Sequence, residues 1–129
     1  MSTILPADLQ YTDSHEWVKD EGNGLYRVGI TEHAQSLLGD VVFIDLPTPA
    51  KRYQAGEECA TVESVKAVSD IYAPFDGEIV EVNSQLDDTP EAVNSSPYED
   101  GWMFLIKSER PEQVAALLSA EDYHALIAD

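Results

Sequence analysis

The sequence predicts a mainly β protein, a sandwich or flattened barrel of antiparallel sheets with a short inserted helix and C-terminal helices. Three observations carry this. Short apolar runs in extended patterns fill the first two thirds of the chain. Gly-containing turn signals separate them. Helical period is confined to one short stretch after Thr31 and to the C-terminal end. At 129 residues the chain is expected to form a single domain over 1–129, long enough for a real core.

The elements follow in order. "HEWVKDEGNGLYRVGIT" reads as a hairpin, with residues 15–19 and Leu25–Ile30 extended and Gly22-Asn23-Gly24 supplying the positive φ angles of the turn. Thr31 reads as a helix N-cap, Glu32 suits the first turn, and Gly39 ends the helix after Leu37 and Leu38. "DVVFIDLP" is an apolar strand stopped by Pro47. A hairpin over about residues 57–76 follows, nearly symmetric about Lys66, with Gly56 ten residues before the lysine and Gly77 eleven after it. Thr89-Pro90-Glu91 signals a helix start, and "GWMFLIKS" is another apolar strand. From about 109 to 128 the chain turns helical. Val114, Leu117 and Leu118 share one face, and a second start at Ser119 puts Tyr123, Leu126 and Ile127 on a buried stripe.

Charge narrows the functions. Seven Lys and Arg stand against 25 Asp and Glu, a net charge of -18. Such a surface repels phosphate backbones and anionic lipid, so neither nucleic acid nor a membrane is an expected partner. Partners with basic patches fit instead, with salt-sensitive docking. The single cysteine, Cys59, allows no internal disulfide and lies in a strand pattern, as a small buried residue and not a nucleophile. No apolar run approaches the ~18 residues a membrane span needs. The N-terminal stretch lacks the signature of a signal or transit peptide, which reads as a cytoplasmic protein.

Catalytic chemistry finds little support. His15, His33 and His124 show no metal-ligand spacing. There is no G-x-S-x-G elbow and no phosphate-cradling glycine loop. Carboxylates such as Asp13, Glu16, Glu63 and Asp70 lie near turns, but among 25 acids such proximity is expected by chance. Lys66 stands apart. It is the only basic residue between Arg52 and Lys107, and it sits at a hairpin tip between apolar strands. Its neighbours Ser64, Ala67 and Ser69 are short enough to leave the amine accessible. A lysine in a turn is ordinarily a solvated charge, but an accessible amine held rigidly is also suited to enzymatic acylation.

"ESVKAVSDIYAP" followed by "GEIVEVN" resembles the lipoyl attachment segment of the glycine cleavage H-protein family. "HEWV", "VGITEHAQSLLGDVVFIDLP", "VNSSPYEDGWM" and the helical tail match the family in the same order, from about residue 11 to the end of the chain. The resemblance implies a hybrid of the biotinyl/lipoyl-carrier fold and a non-catalytic subunit with lipoic acid in amide linkage on Lys66. It also implies a place in glycine catabolism and one-carbon metabolism. A pyridoxal-phosphate glycine dehydrogenase (decarboxylating) would load the aminomethyl group of glycine onto the arm. A folate-dependent aminomethyltransferase would unload it, and dihydrolipoyl dehydrogenase would reoxidise the dithiol. A lipoyl or octanoyl transferase or ligase would modify Lys66, with Glu63 as its recognition feature. By motif position, Ser14, Glu16 and Asp70 are implied to shelter the loaded arm's amine, while the helix Glu32–Leu38 lines the apolar stem; their reading as ordinary surface acids stays open. A monomer in the bacterial cytoplasm is expected.

Competing readings are distinguishable. A biotin carrier would flank the lysine with methionines, whereas here the neighbours are Val65 and Ala67. A lipoyl domain of a 2-oxo acid dehydrogenase would lack the N-terminal hairpin and C-terminal helices. An unmodified β-sandwich adaptor would need no acylated lysine.

Overall fold

The computed structural model describes residues 8–127. The predicted mainly β architecture is observed. Strands β1 (Gln10–Tyr11), β2 (Glu16–Gly22) and β3 (Leu25–Ile30) lead into helix α1 (Glu32–Leu38). Strands β4 (Val41–Asp45), β5 (Arg52–Tyr53), β6 (Glu58–Ser64), β7 (Val68–Tyr72) and β8 (Gly77–Val82) follow. Short helices α2 (Gln85–Asp88) and α3 (Ala92–Ser95) precede β9 (Phe104–Ser108), and α4 (Pro111–Ala115) and α5 (Ala120–Ile127) close the described chain. Among the described residues these strands form a six-stranded sheet in the order β1-β2-β3-β9-β8-β5 and a three-stranded sheet β4-β6-β7, every pair antiparallel.

The two sheets share one core. Val18, Val28 and Ile106 of the larger sheet belong to the same buried cluster as Ile44, Val62 and Ile71 of the smaller. A second cluster, of Leu9, Tyr11, Trp17 and Tyr123, joins the C-terminal helix to the edge of the larger sheet. Trp17 lies opposite Gly29 in the β2–β3 register, where an added Cβ would stand 2.8 Å from the indole. Its Nε1 donates to Pro97 O at 2.8 Å, which satisfies the only polar atom the buried ring carries.

Local punctuation acts as the sequence suggests. Gly22, Asn23 and Gly24 turn the first hairpin with φ of 90, 57 and 77°. Thr31 caps α1 by accepting from Ala34 N at 3.2 Å, and Gly39 ends it at φ 78°. Elsewhere the structure departs from expectation. Helix α2 is an additional element. Pro90 precedes the N-cap Glu91 of α3 and does not occupy its first turn. The C-terminal segment is two helices, as the second start at Ser119 implies, but Leu117 and Leu118 lie outside the first of them: α4 stops at Ala115, and Leu118 exchanges backbone hydrogen bonds with Tyr11, both at 2.8 Å. That bridge satisfies backbone groups which a continued helix would have turned away from β1. Leu126, expected on the buried stripe of α5, is exposed, whereas Tyr123 is buried.

Gly77 is set by space. A Cβ there would lie 2.5 Å from Lys107 O and 2.8 Å from Ile106 Cγ1, where β8 meets β9. A backbone oxygen held in a sheet cannot retreat as a side chain can. Gly77→Ala is therefore expected to cost about 2–3 kcal/mol, roughly 10 °C in Tm for a domain of this size, read by thermal unfolding.

Candidate functional site

Lys66 occupies the tip of the β6–β7 hairpin, and several bonds fix that tip. Glu63 pairs with Val68, and Ser64 N donates to Ala67 O at 2.8 Å, closing a tight turn. The Ser64 hydroxyl donates to the same carbonyl at 3.2 Å and accepts from Ala67 N at 3.0 Å and Lys66 N at 3.3 Å. Val65 N donates to Asp40 O at 3.0 Å, which docks the turn onto the end of α1. The lysine stem then lies over Gly39, where an added Cβ would come 3.4 Å from Lys66 Cε. Lys66 is exposed, and none of the ion pairs among the described residues involves it. Its flanking acids Glu63 and Asp70 leave the amine free of a salt bridge.

Asn94 is the hidden support. Its Oδ1 accepts from Val41 N at 2.8 Å, while its Nδ2 donates to Gly39 O at 2.8 Å and Gln35 Oε1 at 2.9 Å. One side chain on α3 thus holds the platform on both sides of Asp40. In the sequence it is one residue of a matching string, with no period or spacing to single it out.

The outward face of β7 leads away from the tip. Val68, Asp70 and Tyr72 alternate onto one side of the strand, and the rise from the first to the last is about 13 Å at roughly 3.3 Å per residue. At the far end Tyr72 N donates to Glu16 Oε2 at 3.3 Å. Glu16 is buried, and its other oxygen accepts from Thr12 Oγ1 at 2.5 Å and Ser14 Oγ at 2.6 Å. Glu16, Ser14 and Tyr72 line a cavity of about 480 Å³ together with Tyr11, Leu117 and Leu118. Burial pushes the Glu16 carboxyl up, against three hydrogen bonds that favour its ionised form.

The predicted shelter residues are therefore placed unequally. Ser14 and Glu16 line the cavity, joined by Thr12, which the sequence did not single out. Asp70 is exposed on the β7 face, in register with Thr61, which in turn pairs with Asp45. It stands between Lys66 and the cavity and is not part of the lining. A hydrogen bond to Asp70 and the charge beside it push the Glu58 carboxyl up. Helix α1, expected along the arm's stem, contributes no residue to the cavity; it reaches Lys66 through Gly39 instead. Glu63 is exposed, opposite Phe43 on one side and Val68 on the other.

The turn that presents Glu16 is strained at His15, with φ 74°. His15 Nδ1 is 2.7 Å from the Tyr123 hydroxyl, which lies 2.8 Å from Thr31 Oγ1, so α5 bonds both the Glu16 turn and the cap of α1. His33 lies beside His15 with ring centroids 5.0 Å apart and the rings tilted by 45°, and His124 is exposed. Among the described residues no group of three or more His, Cys, Asp or Glu side chains could hold a metal ion. Burial, then the neighbouring His33, holds the His15 pKa below the usual histidine range, with Asp13 opposing. The unfolded chain then takes up this proton first, so stability is expected to fall as the pH drops below about 6.5. His15→Asn, which tolerates the left-handed backbone, should flatten that part of a Tm–pH curve.

Cys59 is buried as expected, and burial pushes its thiol up to about 12. No helix among the described residues is long and apolar enough to cross a membrane.

Known proteins resemble this chain in sequence and fold. The family described as "Glycine cleavage H-protein" matches residues 9–129. The chain is 59% identical over 125 residues to the glycine cleavage system H protein of Klebsiella pneumoniae, covering 97% of each chain. It is 60% identical over 121 residues to that of Pectobacterium carotovorum, covering 94% of this chain and 93% of the relative. The crystal structure of a glycine cleavage system H protein from Mycobacterium marinum superposes with a TM-score of 0.86 at 40% identity, covering 94% of this chain and 97% of that one. An accessible lysine on a braced hairpin, the ordered motifs and these likenesses agree: the chain belongs to the glycine cleavage H-protein family.

Proposed function

We propose that Lys66 carries a lipoyl group in amide linkage, through which this chain shuttles the aminomethyl group of glycine between the enzymes of the glycine cleavage system. The chain is a carrier in that system and not an enzyme. The observation that carries the assignment is the tip itself: an exposed amine, free of ion pairs among the described residues, on a turn braced by Ser64, Asp40 and Asn94. The lysine stem rests over Gly39, at the distance of ordinary van der Waals contact from where a Cβ would stand, so it lies on the end of α1 without being pinned.

The lipoyl group would supply the two sulfurs that hold the one-carbon cargo and cycle between disulfide and dithiol. The protein's residues supply the rest. The hairpin orients the amine, and the β7 face runs from it past Asp70 to the cavity at Glu16. There a carboxylate accepting two hydroxyls and one amide is fixed in place, ready to pair with a cationic amine. Glu63 is the recognition feature for the modifying transferase or ligase. On this reading residues 1–129 form one lipoyl-carrier domain. It works as a monomer in the bacterial cytoplasm. Its partners are glycine dehydrogenase (decarboxylating), aminomethyltransferase and dihydrolipoyl dehydrogenase.

Intact mass of protein from lipoylation-competent cells tests the assignment. The lipoyl increment, mapped to the peptide containing Lys66, is the expected result. Wholly unmodified protein from such cells would overturn it.

A further inference from the structure

The turn that carries Lys66 rests on the junction between α1 and β4. Val65 N donates to Asp40 O at 3.0 Å, and Val41 lies opposite Ser64 in the β4–β6 register. A bulge between Val41 and Phe43 breaks the ladder just here, so the sheet by itself holds the junction weakly. Asn94 grips it from outside the sheet. Its Oδ1 accepts from Val41 N at 2.8 Å, and its Nδ2 donates to Gly39 O at 2.8 Å and Gln35 Oε1 at 2.9 Å. Gln35 Nε2 donates in turn to Glu32 Oε2 at 2.8 Å, a network that fits one orientation of each amide.

The clamp is itself anchored. A helix as short as α3 gains little from its own hydrogen bonds. Val93, beside Asn94, is nevertheless fully buried, and Gly101 packs so closely that an added Cβ would meet Ala92 O and Ser96 O at 2.9 Å. Asn94 thus joins the core to the junction under the lysine. The Ser64 bonds shape the turn, whereas the bond from Val65 to Asp40 O sets where the turn stands. Freeing residues 39–41 would leave the turn intact and let the tip move as a unit.

We propose that Asn94 is a positioning residue for acylation of Lys66: by clamping residues 39–41 it holds the hairpin tip in the pose that a lipoylating ligase accepts. The proposal rests on the carrier reading above. In the step it serves, Lys66 Nζ gives a proton to solvent and attacks the carbonyl of a lipoyl adenylate; AMP leaves as the amide forms. A tip that spends only part of its time in that pose binds the ligase in proportion, but reacts normally once bound. Loss of the clamp therefore falls on KM and not on kcat.

The test uses purified unmodified chain with lipoate, ATP and a lipoate ligase, and follows incorporation by intact mass at varied carrier concentration. Asn94→Asp is the main variant, because it keeps the shape and turns the bond to Gly39 O into a repulsion between oxygens. It should raise KM for the carrier about tenfold and leave kcat within about twofold of wild type. Asn94→Ala should do the same. Asn83 supplies the control, a buried asparagine whose Nδ2 holds Asp100 O at 2.9 Å and Trp102 O at 2.8 Å in the loop before β9. Asn83→Ala should leave KM at the wild-type value. An unchanged KM in Asn94→Asp, or an equal rise in Asn83→Ala, overturns the proposal and leaves the carrier reading standing. A wild-type chain that accepts no lipoyl group overturns the carrier reading and the proposal together.

Discussion

Lys66→Arg protein is expected to fold normally, to gain no lipoyl mass and to support no glycine cleavage when returned to the other components of the system. The substitution keeps the charge and most of the stem, so the hairpin loses nothing it uses. The turn is held by Ser64 and by Asp40 O, and none of those bonds involves the lysine side chain. An exposed change of this kind alters stability by about 0.5 kcal/mol or less. The chemistry changes completely, because a guanidinium stays protonated and does not form the amide that an amine forms. The other lysines, Lys19, Lys51 and Lys107, lie outside the hairpin tip, in or beside strands of the larger sheet. Intact mass and a glycine-decarboxylation assay read the two halves of the result. A lipoyl increment persisting in Lys66→Arg protein would relocate the attachment site.

Glu16→Gln is the second large effect, and it falls on the cargo and not on attachment. Glutamine matches glutamate in shape, so the Thr12–Ser14–Tyr72 cradle stays filled while the charge is lost. A charge-assisted hydrogen bond is worth about 1.5–3 kcal/mol, so loss of aminomethyl cargo to water is expected to run roughly 10–100 times faster. Ammonia released from loaded carrier with no folate acceptor present measures it. The pH dependence has a definite sign. Burial raises the Glu16 pKa above its ordinary value, so a shelter built on it would be present while the carboxylate is ionised and would fail as the pH falls through that raised value. The wild-type rate should climb toward that of the Glu16→Gln protein on acidification, and the variant should lack that limb. A pH-independent wild-type rate equal to the variant's would remove Glu16 from the shelter.

What is legible in the sequence is what local chemistry dictates. Thr31 and Gly39 bound α1 because a hydroxyl cap and a left-handed stop are properties of single residues. The hairpin around Lys66 is visible for the same reason: its alternation and its small turn residues are contiguous. The misses arise where distant backbone decides. Leu117 and Leu118 fit a helical period, yet pairing with Tyr11, more than a hundred positions away, takes Leu118 out of the helix. "DVVFIDLP" reads as an apolar strand, but no pattern announces the bulge that sends Val42 and Phe43 to solvent. Glu16 is one acid among many until the fold buries it and brings Thr12, Ser14 and the Tyr72 amide to its oxygens. Its motif position points to a role, while its environment comes from tertiary structure alone.

The position of Cys59 has a redox consequence. A carrier whose cargo rides on sulfur must not offer that sulfur a competing thiol, because thiolates attack disulfides and trap them as mixed disulfides. With burial pushing its pKa up to about 12, Cys59 stays a thiol and not a thiolate at neutral pH. The side chain is also buried in the core beneath the sheet that presents Lys66. A lipoyl group on Lys66 would thereby be insulated from the polypeptide that carries it, with electrons and carbon passing only between the arm and the enzymes it visits.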